Sequence, residues 1–405
     1  MSVSVSEIRE ARDRLDDESV VRETPIETSR SLEAETGATV RLKMEHLQRT
    51  GSFKTRGAYN KLKQATSARS EATRAVAASA GNHAQGVALA ATKTGLESTI
   101  VMPKNTPQTK IDATSDYGAD VVLHGHDFRE AMAHAKSIVD DDSVFVHAYD
   151  DPAIVAGQGT LGLEIVSQVP DVDTVIVPIG GGGLIAGVAA AVDETSPETR
   201  VVGVQAEAAA TVPQSLDKGE PRTIDSVQTI ADGIATGGIS DLTYEMIAEH
   251  VDEVITVSDT EIAESVLFML ERTKQMVEGA GATTVAAMRS DRLDVRDEVV
   301  VPVLSGGNLS MTDLRTVLTH GLTHRGQVVR LRVHIVDRPG EMNRVSEIIA
   351  DCGANIYEVN HERSVEELDV GNAYLQFRIE TSGTDQTDRI VEAIRDAGYS
   401  VTRVS

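Results

Sequence analysis

Four short segments carry groups that could do chemistry, and each lies where a β-rich run gives way to a helical one or at a strand end. In Gly51-Ser52-Phe53-Lys54-Thr55-Arg56-Gly57 a lysine follows a glycine turn and opens a helical stretch, with an aromatic beside it. The positive end of a helix disfavours an ammonium, so an amine there is easier to keep neutral. A neutral amine can attack an aldehyde and form a Schiff base. In Ser79-Ala80-Gly81-Asn82-His83-Ala84-Gln85-Gly86 a loop of small residues runs into a helix. Its backbone N–H groups suit a carboxylate, although Asn82 would also serve as a helix cap. Gly180-Gly181-Gly182-Gly183-Leu184 lets the backbone fold around a phosphate at a helix start. The same stretch fits a loose dinucleotide pattern, Gly181-x-Gly183-x-x-Ala186, with Glu207 placed for a ribose contact. On that segment alone phosphate cradle and dinucleotide loop both stay open. Leu304-Ser305-Gly306-Gly307-Asn308-Leu309 adds a neutral hydroxyl at a further strand end.

The elements that must hold these groups alternate regularly. Strands are expected at Val40–Met44, Arg74–Ala78, Ser98–Met102, Ala119–Leu123, Val175–Ile179, Val201–Gln205 and Val299–Leu304. Helices are expected at Lys54–Gln64, Asn82–Lys93, Asp127–Val139, Ala153–Gln168, Leu184–Asp193 and Glu261–Met276. Such alternation predicts an α/β fold with parallel sheets, whose ligand sits at the carboxyl ends of the strands. Near Gly321 the pattern changes. The polar stretch 321–327 reads as a linker between a catalytic domain, 1–320, and a second domain, 328–405. In the latter, strands Val328–Val336, Ile356–Asn360, Ala373–Ile379 and Ser400–Val404 and helices Asn343–Asp351 and Asp388–Ala397 make a ferredoxin-like βαββαβ unit.

Composition narrows the class. The formal net charge is -25, from 63 acidic against 38 basic residues, so the surface repels nucleic acid and anionic lipid. Neither nucleic acid nor a membrane is expected as a partner. Lysine is scarce beside arginine and the acids are dispersed, a balance that resembles proteins of a high-salt, halophilic cytoplasm. A single cysteine, Cys352, excludes an internal disulfide and suits a reducing, cytoplasmic compartment.

Taken together, Ser52-Phe53-Lys54-x-Arg56-Gly57, Ser79 to Gly86, the tetraglycine with Leu184, and Ser305-Gly306-Gly307-Asn308 resemble the threonine ammonia-lyase (threonine dehydratase) family. That family belongs to the tryptophan-synthase-β-like, fold-type II pyridoxal 5'-phosphate enzymes. The resemblance runs from about Pro25 to Leu318. It implies a two-lobed fold with parallel-rich sheets. It implies that Lys54 holds the cofactor covalently and acts as the catalytic base, that Phe53 packs near the ring, and that Asn82 meets the ring hydroxyl. By the same resemblance Gly180, Gly181, Gly182, Gly183 and Leu184 bind the phosphate, Ser305 faces the pyridine nitrogen, and Ser79, Ala80, Gly81 and His83 line the pocket for the amino-acid substrate. The reaction implied is deamination of L-threonine to 2-oxobutanoate and ammonia, with L-serine giving pyruvate, feeding isoleucine biosynthesis. Two departures matter. Related serine racemases carry a serine where this chain has Ala80, which has no proton to give; elimination is thereby favoured over racemisation. Relatives with a divalent cation use the carboxylate matching Glu207 and an acid soon after, where this chain reads Ala210-Thr211-Val212-Pro213; no metal site is assigned. Racemisation or β-replacement on the same cofactor, and a non-catalytic amino-acid sensor, are the competing readings.

Val328–Ser405 resembles an ACT domain through Asp337-Arg338-Pro339-Gly340 and Gly353-Ala354-Asn355-Ile356. The resemblance implies an allosteric amino-acid effector, isoleucine or valine, held near Asp337, Pro339, Gly340 and Asn355. Such sites form between copies, so a homo-oligomer, dimer or tetramer, is expected. A purely structural, pairing role is the alternative.

Overall fold

The computed structural model describes residues 2–67, 72–364 and 366–404. It divides into two compact units, Met1–Asp313 and Leu314–Ser405.

The first unit carries two sheets. The smaller is built from β3 (Arg74–Ala78), β4 (Glu97–Met102), β5 (Asp120–Leu123) and β6 (Ser143–Phe145), in the order β5-β4-β3-β6, with every pair parallel. The larger has the order β1-β2-β10-β7-β8-β9, from β1 (Ile26–Thr28), β2 (Thr39–Lys43), β7 (Thr174–Pro178), β8 (Arg200–Ala206), β9 (Glu253–Val257) and β10 (Val299–Pro302). Only its edge strand β1 is antiparallel. Strands β3 and β7 read Arg-Ala-Val-Ala-Ala and Thr-Val-Ile-Val-Pro, short apolar runs without alternation. Parallel strands covered by helices on both faces bury both rows of side chains, which is why such runs end in the middle of sheets.

Three helices pack on one another, and small residues set how closely. Helix Pro152–Gln168 starts at Asp151, whose carboxylate accepts from the Ala153 and Ile154 N–H groups. A Cβ added at Gly157 would lie 2.6 Å from the Gly57 Cα, and one at Gly187 would lie 2.4 Å from the Val155 carbonyl oxygen. Helix Lys54–Ser67 and helix Gly183–Thr195 therefore each touch helix Pro152–Gln168 backbone to backbone. The segment that opens with Lys54 and the helix that follows the tetraglycine are braced on a common support.

Two expectations change. The helix expected through Met276 is α-helical only over Asp259–Phe268, passes through a π-turn at Met269–Thr273, and stops at Lys274, whose φ is 61°. The left-handed residue turns the chain out of the helix and delivers Glu278 to the start of helix Gly279–Met288. The expected linker 321–327 is helical through His324, because helix Met311–His324 buries Gly321. Gly326, with φ 67°, then ends the run in the left-handed conformation usual after a helix.

The second unit has the expected βαββαβ order. Strands β11 (Val328–Val336), β12 (Asn355–Glu362), β13 (Asn372–Glu380) and β14 (Ser400–Val404) form an antiparallel sheet ordered β12-β13-β11-β14. Alternation along β11 and β13 turns Leu331, Val333, Ile335, Leu375, Phe377 and Ile379 inward, against Val345, Ile349, Ile390 and Ile394 of helices Glu341–Asp351 and Thr384–Asp396.

Candidate active site

Lys54 is the first residue of its helix and is half-buried, with its amine lying 5.0 Å from the Phe53 ring centroid. Nζ donates to the Ala148 carbonyl oxygen at 3.2 Å. Burial brings its pKa down to about 8, against the opposing attraction of Glu278. A reactive neutral fraction of roughly a tenth is thus present at pH 7. Gly86 explains itself here: a Cβ would sit 3.0 Å from the Lys54 carbonyl carbon, so glycine lets helix Asn82–Thr94 close on the lysine.

The four sequence segments converge on this point. The loop 305–308 docks on residues 50–53: Ser52 bridges Gly306, the Phe53 N–H donates to the Ser305 carbonyl at 3.2 Å, and the Gly307 N–H donates to the Gly51 carbonyl at 2.9 Å. Asn308 Nδ2 reaches the Thr50 carbonyl at 2.6 Å and Asn82 Oδ1 at 2.8 Å. Ser79 Oγ accepts from the Gly81 N–H at 3.2 Å, which shapes the loop around Ala80. His83 Nε2–H donates to the Val146 carbonyl at 2.9 Å, and burial, then the neighbouring Lys54, pull its pKa to about 3. His83 is therefore a neutral imidazole. The tetraglycine loop faces Tyr149: a Cβ at Gly181 would fall 2.1 Å from the ring, and one at Gly183 would fall 2.9 Å from the tyrosine Cβ. Gly182 has φ 88°, and Thr243 Oγ1 holds the loop by donating to the Gly181 carbonyl at 2.9 Å. The first turn of helix Gly183–Thr195 follows, with N–H groups that lack intrahelical acceptors.

Behind Lys54, on the same helix, Arg56 is 2 % exposed and binds Glu45 through Nε and Nη2, both at 2.8 Å, and Glu164 at 2.6 Å. Lys43 joins the cluster through Glu164, Gln168 and the Thr24 carbonyl. This buried network ties β2, the lysine helix and helix Pro152–Gln168 together.

Glu278 was missed by the sequence reading. It is 7 % exposed, accepts from Asn82 Nδ2 at 2.7 Å, and has its pKa raised to about 7, mainly by burial and further by Asp232. The signal was present: one acid stands alone among small residues in Val277-Glu278-Gly279-Ala280-Gly281-Ala282. Tyr149 was missed as well, inside a segment that reads as a turn.

Residues 18–306 match the family described as pyridoxal-phosphate dependent enzyme. The chain belongs to that family of pyridoxal-phosphate enzymes. Residues 323–404 match the ACT domain. The L-threonine ammonia-lyase of Thermotoga maritima is 42% identical over 400 residues, covering 98% of this chain and 99% of that protein. Among solved structures, the processed form of threonine deaminase isoform 2 from Solanum lycopersicum superposes with a TM-score of 0.72 at 36% identity, covering 78% of this chain and 93% of that one. Maize serine racemase gives 0.73 at 33% identity, covering 80% and 100%. The dinucleotide reading of the tetraglycine is thereby set aside. The donor set here fits the family's cofactor: an amine of lowered pKa for an aldehyde, a side-chain amide, and a glycine cradle from which any Cβ at Gly181 is excluded.

In the ACT unit, Asp337 to Gly340 lie between β11 and helix Glu341–Asp351, and Gly340 has φ 97° with open space where a Cβ would project. Asn355 opens β12. The Asp337 carboxylate is already engaged by Arg363 Nε at 2.6 Å.

Proposed function

We propose that this pyridoxal-phosphate enzyme deaminates L-threonine to 2-oxobutanoate and ammonia, and L-serine to pyruvate and ammonia. The observation that carries the reading is Lys54: an amine with its pKa lowered to about 8 where four segments meet, beside a loop whose position 80 is a methyl group. The Thermotoga maritima and Solanum lycopersicum relatives support the substrate class.

When bound, the cofactor supplies an electron sink for charge developing at the substrate α-carbon. Lys54 would hold the cofactor through Nζ, and the same Nζ, when free, would take the substrate α-proton. Phe53 packs near the ring. Asn82 would direct an amide N–H at the ring hydroxyl. The N–H groups of Gly180, Gly181, Gly182, Gly183 and Leu184 would hold the phosphate at the helix start, where the field favours an anion. Ser305 would meet the ring nitrogen with a neutral hydroxyl, which would not demand a protonated ring and so would favour loss of the β-hydroxyl over transamination. Ser79 and Gly81 orient the substrate carboxylate. His83, neutral and anchored on Val146, adds no charge to that pocket. Ala80 has no proton to return to the second face of the α-carbon, so elimination outruns inversion.

The ACT unit carries an amino-acid effector, isoleucine or valine, near Asp337, Pro339, Gly340 and Asn355, and acts in a homo-oligomer within isoleucine synthesis. A ligand amine at Asp337 has to share or displace Arg363. The dispersed acidic surface suits a salt-rich cytoplasm; among the described residues no helix is long and apolar enough to cross a membrane.

The test is a substrate panel of L-threonine, L-serine, D-threonine and L-allo-threonine, read by keto-acid release and by chiral chromatography of the residual amino acid. Keto acid from the first two with no inversion is expected. Substantial inversion at the α-carbon, or no keto acid from L-threonine, overturns the reading.

A further inference from the structure

The reading above leaves one buried charge without a task, the Glu278 carboxylate. It closes a chain of side-chain amides. Asn308 Nδ2 donates to Asn82 Oδ1 at 2.8 Å, and Asn82 Nδ2 donates to Glu278 Oε1 at 2.7 Å. A primary amide offers one oxygen and two N–H bonds. With the Asn82 oxygen taken by Asn308 and one N–H taken by Glu278, the second N–H is the donor left to present. The two restraints agree. Rotating the amide by half a turn would set its oxygen against a carboxylate, which only accepts, and its nitrogen against Asn308 Nδ2, which only donates.

The surroundings are shaped for this carboxylate. A Cβ at Gly306 would lie 2.2 Å from Glu278 Oε1 and 2.8 Å from its Cδ, and one at Gly233 would lie 3.0 Å from Oε1. Two glycines on separate loops thus clear the same space. The Glu278 N–H donates to the Gly306 carbonyl at 3.0 Å, which fixes the backbone that carries the acid. The charged groups around it are Lys54 on helix Lys54–Ser67, Lys110 on helix Gln108–Ser115 and Asp232 on the 3-10 turn Asp232–Ile234; Lys110 and Asp232 pair at 2.8 Å. Asp313 acts on the same Lys110.

We propose that Glu278 is a positioning residue that acts through Asn82, locking its amide so that an N–H, and never the oxygen, meets the ring hydroxyl of the cofactor. The proposal rests on the assignment of Asn82 to that hydroxyl. A ring oxygen that can only accept at this contact is held without its proton, and the absorption spectrum of the lysine-bound cofactor reports that state. With Glu278 titrating near pH 7, the lock is strongest above that pH and weakens below it, as the carboxylate gains a proton and loses acceptor strength.

The experiment records the holoenzyme spectrum between pH 6 and pH 9 for the wild type, E278Q, E278D, N82A and E278Q/N82A. Glutamine carries both acceptor and donor, so E278Q removes the charged acceptor and leaves Asn308 alone to orient the Asn82 amide. The expected result is a fall of about tenfold in the ratio of long- to short-wavelength bands at pH 8, the equilibrium weight of one hydrogen bond to a charged acceptor. E278D, still acceptor-only, restores most of the ratio. N82A shows the E278Q spectrum, and E278Q/N82A shows no further change. A wild-type step in the ratio near pH 7, absent in N82A, is a variant-free version of the same result. If N82A leaves the spectrum unchanged, the Asn82 assignment fails and takes the proposal with it. If N82A alters the spectrum while E278Q does not, or if E278Q has its full effect without Asn82, the role of Glu278 alone is overturned.

Discussion

The pKa of about 8 at Lys54 has a kinetic consequence for the cofactor-free protein. Only the neutral amine attacks the cofactor aldehyde, so the rate of capture follows the deprotonated fraction. With the value lowered to about 8, roughly a tenth of the amine is neutral at pH 7; an unperturbed lysine near 10.4 would offer roughly one part in two thousand. The structure therefore gives capture at neutral pH an advantage of about two hundredfold from burial net of the opposing Glu278 charge. The sign is fixed by the direction of the shift: the neutral fraction grows as pH rises and saturates above the lowered value. Stopped-flow absorbance, with cofactor mixed into the cofactor-free protein at limiting concentration, should show a rate that climbs about tenfold per unit below pH 7.5 and flattens by about pH 9. A rate that keeps climbing through pH 10 would mean an ordinary solvated lysine and would refute the reasoning.

Other outcomes follow from neighbouring residues. Gly181→Ala puts a methyl into the Tyr149 ring at 2.1 Å, so cofactor affinity measured by fluorescence titration should fall at least about tenfold; unchanged affinity would remove the loop from the phosphate site. Arg56→Met leaves Glu45 and Glu164 without the guanidinium that joins them, and urea unfolding should show a loss of about 3–5 kcal/mol; a loss under about 1 kcal/mol would mean the buried cluster contributes little. Calorimetry on the full chain should detect isoleucine or valine binding, and Gly340→Val, which strains a φ of 97°, should weaken it without altering cofactor absorption; silence with isoleucine, valine and threonine alike would leave the ACT unit a structural one. A melting temperature that rises from dilute buffer to molar KCl is expected for a net charge of -25, since screening lengths shrink from about 30 Å to about 3 Å; a flat response would count against salt adaptation.

Much of this was readable in advance, and the exceptions have physical causes. Strand β3 falls at Arg74–Ala78 as expected, since a run of small β-branched and apolar residues ending in a glycine loop has few alternatives. The tetraglycine loop and the lysine segment were legible because their local geometry is demanding: φ 88° at Gly182, and a lysine at a helix start. Helix Gly279–Met288 was not expected. It is buried on every side and so lacks an amphipathic stripe, and its glycines and threonines are weak helix formers. Glu278 went unread for a related reason. Its environment is made by Gly233, Gly306, Asn82 and Asp232, which are distant in sequence, so no local pattern marks it. The overrun of the helix past Phe268 has its cause in one residue, Lys274, whose left-handed backbone no propensity anticipates.

The central claim is that Lys54 serves the deamination of threonine. Ammonia and 2-oxobutanoate should be counted together, mole for mole, from L-threonine with the wild type and with Lys54→Ala, each supplied with cofactor. Equal amounts of the two products from the wild type, and none above background from the variant, are predicted. Equal turnover by the two proteins, or ammonia without the matching keto acid, would contradict the account.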